Sequence, residues 1–236
     1  MTIPLLIAIA FSLGFFVESI IGFGGGLIAY SILGFSMDIK NMVLCGLYIG
    51  TCASSYIIFT DHKSFAKKIF LSSFPICFLG TMIGVFLFAK LDSKTMLIIF
   101  GALSIILSTK VLFFDDLKFP KLLRSFLLLV GGVSQGLFGI GGPFVVNALK
   151  DEFKNKSELR TTMGTFFVSL NIVRFIQLFL QKSVNVSFFA SVWWTIIPVF
   201  IAIYFGYKAH LKISETFFKK IVGAMTFFAG VVFLLK

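Results

Sequence analysis

The sequence predicts an all-α, multi-pass transmembrane protein made of two repeats, each with a helix broken by glycine. Three observations carry this prediction. Of the 236 residues, 58% are hydrophobic and 13% are charged, against about a quarter charged in an ordinary soluble domain. Long apolar segments follow one another with short loops between them. The stretch "ESIIGFGGGLIAY" (Glu18–Tyr30) returns about 117 residues later as "SQGLFGIGGPFVVN" (Ser134–Asn147).

Eight segments are close to or longer than the roughly 20 apolar residues that a transmembrane helix needs. They are Ile3–Phe35, Val43–Thr60, Ile69–Ala89, Thr95–Phe114, Leu122–Leu149, Thr161–Gln181, Ser187–Gly206 and Phe217–Leu235. The first segment has neither a basic stretch before it nor a small-residue cleavage site after it. We therefore expect it to be retained as a membrane segment and not removed as a signal peptide.

The repeats follow from two internal matches. Gly22-Phe23-Gly24-Gly25 falls on Gly139-Ile140-Gly141-Gly142 when one half is laid on the other. Towards the end of each half, "KLDSKTMLIIFGA" (Lys90–Ala102) resembles "KISETFFKKIVGA" (Lys212–Ala224). Such self-similarity predicts one integral membrane domain composed of a first repeat at 1–118 and a second at 119–236.

The loop charges predict how the repeats are oriented. As a single helix Ile3–Phe35 would be about 50 Å long, against a hydrocarbon core of roughly 30 Å, so it either overshoots the membrane or bends back at its glycines. If both broken segments return to their own side, fifteen Lys and Arg residues face one side, whereas single crossings give no bias. The other side keeps only Lys40, Lys90, Lys94, Lys182 and Lys236. The positive-inside rule then makes the repeats inverted, with both termini outside the cytoplasm.

The two glycine breaks predict a binding site at mid-membrane. Backbone groups freed by a break are tolerated in a membrane only when buried in protein or lining a wet cavity. We expect the short helices Leu27–Phe35 and Phe144–Leu149 to direct N–H groups and positive dipole ends at an anion, with Pro143 favouring the start of the second. The candidate glycines are Gly24, Gly25, Gly26, Gly141 and Gly142. The alternative is close packing through Gly-x-x-x-Gly patterns, which we favour for Gly80 and Gly84.

Two charged residues lie well inside apolar segments, where they are costly and usually functional. Arg174 is a candidate anion contact, with Asn171 on a nearby turn and Gln135 beside the second break. Glu18 precedes the first break and is a candidate proton-coupling carboxylate. The alternatives are a structural pair between Glu18 and Arg174, or an arginine that reaches towards the interface.

Other functions find little support in the sequence. The net charge of +11 lies in loops, so we expect no nucleic acid as a partner. Cys45, Cys52 and Cys77 lack C-x-x-C spacing and are interpreted as packing residues. Without a cluster of His, Cys and carboxylate residues, we expect no enzyme, no metal and no cofactor. The expected partners are the lipid bilayer and a small anion, and a homodimer is compatible with the sequence.

The sequence resembles the TauE/SafE family of sulfite-exporter-like membrane proteins. The resemblance lies in "GFGGGLIAYSIL", "GLFGIGGPFVVNAL" and "GTFFVSLNIVRF", where family members often carry Asn followed three residues later by Lys or Arg. The matching positions are Gly22, Gly24, Gly25, Gly26, Gly139, Gly141, Gly142, Asn171 and Arg174. An acidic residue at the place of Glu18 recurs in part of the family. The sequence departs from it at Ser31 and Ala148, where many members have proline.

The resemblance implies a transporter in the bacterial inner membrane that moves sulfite, sulfonates and related small sulfur-containing anions. On this basis the sequence predicts a secondary transporter, working as an exporter, that holds its substrate between two glycine-broken helices. The main alternative is a passive small-anion channel, which the same breaks would suit, and a membrane scaffold without transport is a weaker one. Flux that saturates and responds to a proton gradient separates a transporter from a channel.

Overall fold

The regular structure of the protein is helical wherever the structure describes it. The computed structural model describes residues 3–21, 24–60, 62–113, 121–181 and 190–209, together with 220, 223, 224, 227, 228, 230, 231 and 233–235. Within these residues every regular element is a helix, and no strand is present. The all-α prediction is therefore confirmed for the described part of the chain.

Nine α-helices have defined bounds in the described part of the chain. In chain order they are α1 (Ile3–Ile21), α2 (Gly25–Leu33), α3 (Ile39–Thr60), α4 (Lys67–Lys90), α5 (Ser93–Phe113), α6 (Lys121–Phe138), α7 (Gly142–Leu149), α8 (Lys156–Leu180) and α9 (Ile196–Ala209). Short 3₁₀ turns lie at His62–Ser64, Lys150–Glu152 and Trp193–Thr195. The last predicted segment, Phe217–Leu235, lies partly outside the described residues, and those described between 220 and 235 are helical.

Five helices of the described chain are long and apolar enough to cross a membrane. These candidate spans are Ile3–Ile20, Ile39–Phe59, Lys67–Lys90, Ser157–Leu180 and Ala190–Lys208. Two shorter apolar helices lie at Ser93–Thr109 and Leu123–Phe138. The protein is thus a multi-pass membrane protein, while the count of eight segments and the inverted arrangement stay predictions.

Several helices begin at residues that cap their first turn. Asp92 precedes α5, and its carboxylate accepts hydrogen bonds from the Thr95 hydroxyl (2.6 Å), the Thr95 N–H (3.3 Å) and the Lys94 N–H (3.1 Å). These bonds favour the charged form and hold the pKa of Asp92 below its usual value. The Asn155 side chain accepts from the Glu158 N–H at 2.8 Å and starts α8 in the same way. Polar caps therefore set helix starts several residues before the apolar runs.

The described chain groups into two compact units that interleave along the sequence. The first comprises Met1–Leu44, Leu91–Lys118 and Ser191–Lys236, and the second comprises Cys45–Lys90 and Phe119–Ala190. Each unit draws on both halves of the chain, so this division differs in kind from the repeats at 1–118 and 119–236. The repeat boundaries stay a prediction from the sequence.

The first unit is built around α1, which packs against α2 and α9. Gly206 of α9 lies so close to α1 that an added Cβ would overlap the Ser19 hydroxyl and the Phe16 carbonyl. The rings of Tyr30 and Phe100 lie 5.8 Å apart, and those of Phe100 and Phe233 lie 5.5 Å apart. These contacts enclose the short helix α2 in an aromatic core.

The second unit is dominated by a close pair, α4 and α6. Gly80 and Gly84 of α4 face Gly132 and Gly136 of α6, and an added Cβ at any of the four would overlap backbone of the other helix. The Thr81 hydroxyl also donates to the Gly132 carbonyl at 3.2 Å. Small residues allow this approach and polar side chains reinforce it. The packing interpretation of Gly80 and Gly84 is confirmed.

Candidate functional site

The first glycine break turns α2 back along α1. Within the first unit, an added Cβ on Gly14 of α1 would overlap the carbonyl of Gly25, the first residue of α2. Further from the break, the rings of Phe11 and Tyr30 meet edge to face at 6.1 Å. Residues of α1 that lie further from the break thus contact residues of α2 that lie further from it, which is the geometry of an antiparallel helical hairpin. The expected bend is therefore present in the first broken segment.

Glu18 holds this first break together. Gly24 has a φ of +95°, in the left-handed region that favours glycine, and it turns the chain into α2. The N–H of Gly25 donates to Oε2 of Glu18 at 2.8 Å, and this side chain is buried. A carboxylate at a helix N-terminus satisfies a free donor and complements the helix dipole. The first short helix is thus capped by a side chain from the helix before it.

The second break has the same form. Gly139 has a φ of +74°, and its N–H donates to the Gln135 carbonyl at 2.8 Å as α6 ends. The Gly141 N–H then donates to Oε1 of Gln135 at 2.8 Å at the start of α7. An ion pair between Arg124 and Glu152 joins the beginning of α6 to the turn after α7, so this segment also returns towards its own start.

The second break is linked to α8 by a chain of hydrogen bonds. Nε2 of Gln135 donates to Oδ1 of Asn171 at 2.9 Å. Nη1 of Arg174 donates to the same oxygen at 3.0 Å. Because Arg is a donor only, it fixes Oδ1 of Asn171 as the acceptor and thereby sets the orientation of both amides. The network fixes the side chain that caps α7.

Arg174 is fully buried at the end of α6. Its Nε donates to the Gly136 carbonyl at 3.3 Å, in the last turn of that helix. A cation is favourable there because the carbonyls at a helix C-terminus carry partial negative charge. Gly139 leaves room for the guanidinium, since an added Cβ would lie 2.9 Å from Nη1. The broken helix thus supplies much of the environment that makes a buried arginine tolerable.

The structure brings the predicted polar residues of the second break into one network: Gln135, Gly141, Asn171 and Arg174, with Gly142 next in the chain. Glu18, Gly24, Gly25 and Gly26 form the first break in the other unit. Gly22, which carries part of the resemblance, lies outside the described residues. The short helices begin two residues earlier than predicted, at Gly25 and Gly142, because the caps engage the glycines themselves. Pro143 is consequently the second helical residue. The N–H that proline lacks is not needed there, because the first N–H groups of a helix have no acceptor within the helix.

Two features of the site could be recognised only in the structure. Gly136 supplies the carbonyl that accepts from Arg174 and Gly139 leaves room for the guanidinium, and the sequence alone suggested neither role. The second is that Glu18 and Gln135 are equivalent, which the sequence does signal, because the shift of about 117 residues that aligns the glycines places one on the other. Because these side chains engage the N–H groups of Gly25 and Gly141, those two donors are occupied in this structure.

Comparison with known proteins gives one match. The family model described as Sulfite exporter TauE/SafE matches residues 6–233, nearly the whole chain. No curated protein and no solved structure matches the chain. The matched residues include both glycine breaks, Asn171 and Arg174.

Proposed function

The chain belongs to the sulfite exporter TauE/SafE family, and on this premise we propose that it exports small sulfur-containing anions such as sulfite or organosulfonates as a secondary transporter. The family and the apolar helices indicate a multi-pass membrane transporter of the sulfur-anion exporter type. The choice of substrate, the direction of transport and a location in the inner membrane are parts of the proposal.

The observation that carries the proposal is the network of Arg174, Asn171 and Gln135 at the second break. It places a fully buried cation and two oriented amides beside a glycine-broken helix. Buried cations in membrane helices are costly and mark ion pathways more often than packing. A small sulfur-containing anion complements such a positive, hydrogen-bonding environment.

Flux into proteoliposomes tests the proposal against a passive channel. The purified protein is reconstituted, and sulfite entry is followed at increasing concentrations with and without an imposed proton gradient. A transporter gives flux that saturates and changes with the gradient. Flux that rises linearly with sulfite and ignores the proton gradient would establish the channel instead.

We further propose that Glu18 couples transport to protons. Among the described residues, the elements that pack most extensively on α1 in its unit are α2, α9 and the turn at Trp193–Thr195, and none of these carries a carboxylate. Their titratable groups are Tyr30, in the aromatic core, and Tyr204, Tyr207 and Lys208, which are exposed. Glu18 is therefore the buried acid among the residues described around this break, and its proton would weaken the bond that caps α2.

Glu18→Gln is expected to keep transport but lose its response to the proton gradient. Gln135 caps α7 with a carboxamide oxygen at 2.8 Å, so glutamine at position 18 can cap α2 equally while carrying no titratable proton. Flux is compared with and without the gradient, and the exposed Asp151→Asn serves as the control for loss of a carboxylate. An unchanged gradient response in Glu18→Gln would refute the coupling role.

The membrane orientation gives a separate expected result. Both termini are expected outside the cytoplasm, with the loops that contain Lys63, Lys118, Lys154 and Lys212 inside, because this arrangement divides the loop charges fifteen to five. Single cysteines are introduced at the C-terminus and beside Lys154, and a membrane-impermeant thiol reagent is applied to intact cells. Labelling of the C-terminal cysteine only after the cells are opened contradicts the inverted arrangement.

A further inference from the structure

The turn between α3 and α4, in the second unit, carries a dense positive charge. Residues 61–68 contain Lys63, Lys67 and Lys68 but a single carboxylate, Asp61, which lies outside the described residues. All three lysines are exposed, and none of them forms an ion pair with a described residue. Within the described part of the chain, this charge is therefore open to an external anion.

The turn lies where three membrane helices end. The candidate spans of α3 and α4 stop and start on either side of it. The span of α8 begins beside it, because the Ser157 hydroxyl donates to the Ser64 hydroxyl at 3.2 Å and the Ala66 N–H donates to the Thr162 hydroxyl at 3.0 Å. Helix ends that meet at one level mark the border between hydrocarbon and headgroups. The three lysines therefore lie at the depth of the lipid phosphates.

The carboxylates around the turn do not neutralise it. The start of α8 adds an exposed lysine, Lys154, and one carboxylate, Glu158, which accepts from the backbone N–H of Lys154 at 2.7 Å. Asp151 and Glu152 follow α7, and Glu152 forms an ion pair with Arg124. The described charged side chains at this end of the unit thus keep a positive balance.

Exposed apolar side chains flank the lysines along the chain. Phe59, at the end of α3, is 83% exposed, and Phe65 is exposed within the turn. Leu71 is 57% exposed and lies one helical turn after Lys67 and Lys68 on α4. A phospholipid engages both kinds of group, the lysines through its phosphate and the apolar side chains through its acyl chains. A free phosphate would use the lysines alone.

We propose that this turn binds an anionic phospholipid, with the phosphate held by Lys63, Lys67 and Lys68 and an acyl chain lying against Leu71. The turn is pre-formed, since its hydrogen bonds to α8 and the contact of the Phe70 and Phe166 rings at 4.9 Å fix its backbone, which lowers the cost of binding. The surface uses no residue of the glycine breaks, so the proposal is independent of the transported substrate.

Native mass spectrometry of the purified protein in detergent tests the proposal. Phosphatidylglycerol is titrated, and the dissociation constant of the first bound lipid is measured. Each lysine near a lipid surface contributes about fivefold in affinity, so the double variant Lys67→Gln, Lys68→Gln is expected to bind about twenty-fivefold more weakly. Adding Lys63→Gln is expected to bring the loss to about a hundredfold. A double variant that binds phosphatidylglycerol as tightly as the wild type would overturn the site.

A matched pair of lysines separates this site from diffuse attraction by the net charge of +11. Lys90, at the other end of α4, and Lys94, near the start of α5, are also exposed. The double variant Lys90→Gln, Lys94→Gln removes the same charge and is expected to leave the first lipid bound as in the wild type. Equal weakening by the two double variants contradicts a defined site, as does equal binding of zwitterionic phosphatidylcholine by the wild-type protein.

Two further measurements distinguish a lipid from a free phosphate and binding from folding. Glycerol phosphate carries the headgroup chemistry without chains, and its displacement of phosphatidylglycerol at equal concentration would assign the lysines to a free phosphate and overturn the lipid site. Thermal unfolding without added lipid is expected to be the same in the wild type and the Lys67→Gln, Lys68→Gln variant, because both side chains are exposed. Phosphatidylglycerol is expected to raise the melting temperature of the wild type only, and an equal rise in the variant would overturn the assignment.

Discussion

Arg174→Gln is expected to weaken sulfite binding about ten- to a hundredfold. A charge-assisted hydrogen bond contributes about 1.5–3 kcal/mol, and glutamine removes the only positive charge of the network at the second break. The same change takes donors from the Gly136 carbonyl and from Oδ1 of Asn171, so a loss of stability is also expected. Sulfite affinity and thermal unfolding are therefore measured on the same purified variant.

Two further variants separate charge from geometry. Arg174→Lys keeps the charge, but one ammonium cannot repeat the separate bonds of Nε and Nη1, so partial function is expected. Gly139→Ala keeps the arginine and displaces it, because the new Cβ would lie 2.9 Å from Nη1. If Arg174→Gln folds normally and binds sulfite as tightly as the wild type, the arginine has no part in the site.

The interpretation of Arg174 as merely the partner of Glu18 makes the opposite prediction. In that case the double variant Glu18→Gln, Arg174→Gln removes both charges and should recover folding and transport together, since no buried charge is left alone. If Arg174 instead binds the substrate anion, the double variant is expected to remain unable to bind sulfite. Recovery of transport would thus replace the anion site with a structural ion pair.

The sequence predicted the two helix breaks well, because a cluster of glycines inside an apolar segment indicates either a break or close helix packing. The length of Ile3–Phe35 excluded a simple crossing and the loop charges favoured a bend, which the structure places between Ile21 and Gly25. Arg174 and Asn171 could also be selected, because buried charge is rare in a membrane segment and three residues separate neighbours on one helix face. Helix starts were less accurate, since caps such as Asp92 and Asn155 lie outside the apolar runs that located the helices.

The partners within the site could not be derived in the same way. The bond from Arg174 to Gly136 joins positions 38 residues apart, and no local pattern encodes how α6 and α8 approach each other. The sequence predicted free N–H groups at the starts of the short helices, whereas the Gly25 and Gly141 N–H groups donate to Glu18 and Gln135. Aligning the repeats beyond their glycines would have revealed these two side chains as equivalent, but not the atoms that they contact.

Gly141→Leu and Gly24→Leu are both expected to abolish transport while much of the protein still inserts, but for different reasons. At Gly141 even a Cβ would lie 2.5 Å from the Gly131 carbonyl and 2.9 Å from Cβ of Gln135, so the hairpin of α6 and α7 must open. At Gly24 a Cβ would meet nothing within 4 Å, and the obstacle is the φ of +95°. A left-handed conformation costs an ordinary residue about 1–2 kcal/mol, and Asn tolerates it better.

Asparagine therefore distinguishes the two glycines. Gly24→Asn is expected to retain most sulfite transport because its side chain has space and its backbone accepts the left-handed turn. Gly141→Asn is expected to lose transport as Gly141→Leu does, since the overlap of the new Cβ with α6 does not depend on the residue's preferred φ. Membrane insertion is checked by the amount of folded protein purified, with flux measured in proteoliposomes at equal protein. Wild-type transport by Gly141→Asn would show that α7 can move away from α6 without loss of function, and the capped second break would then not be part of the transport site.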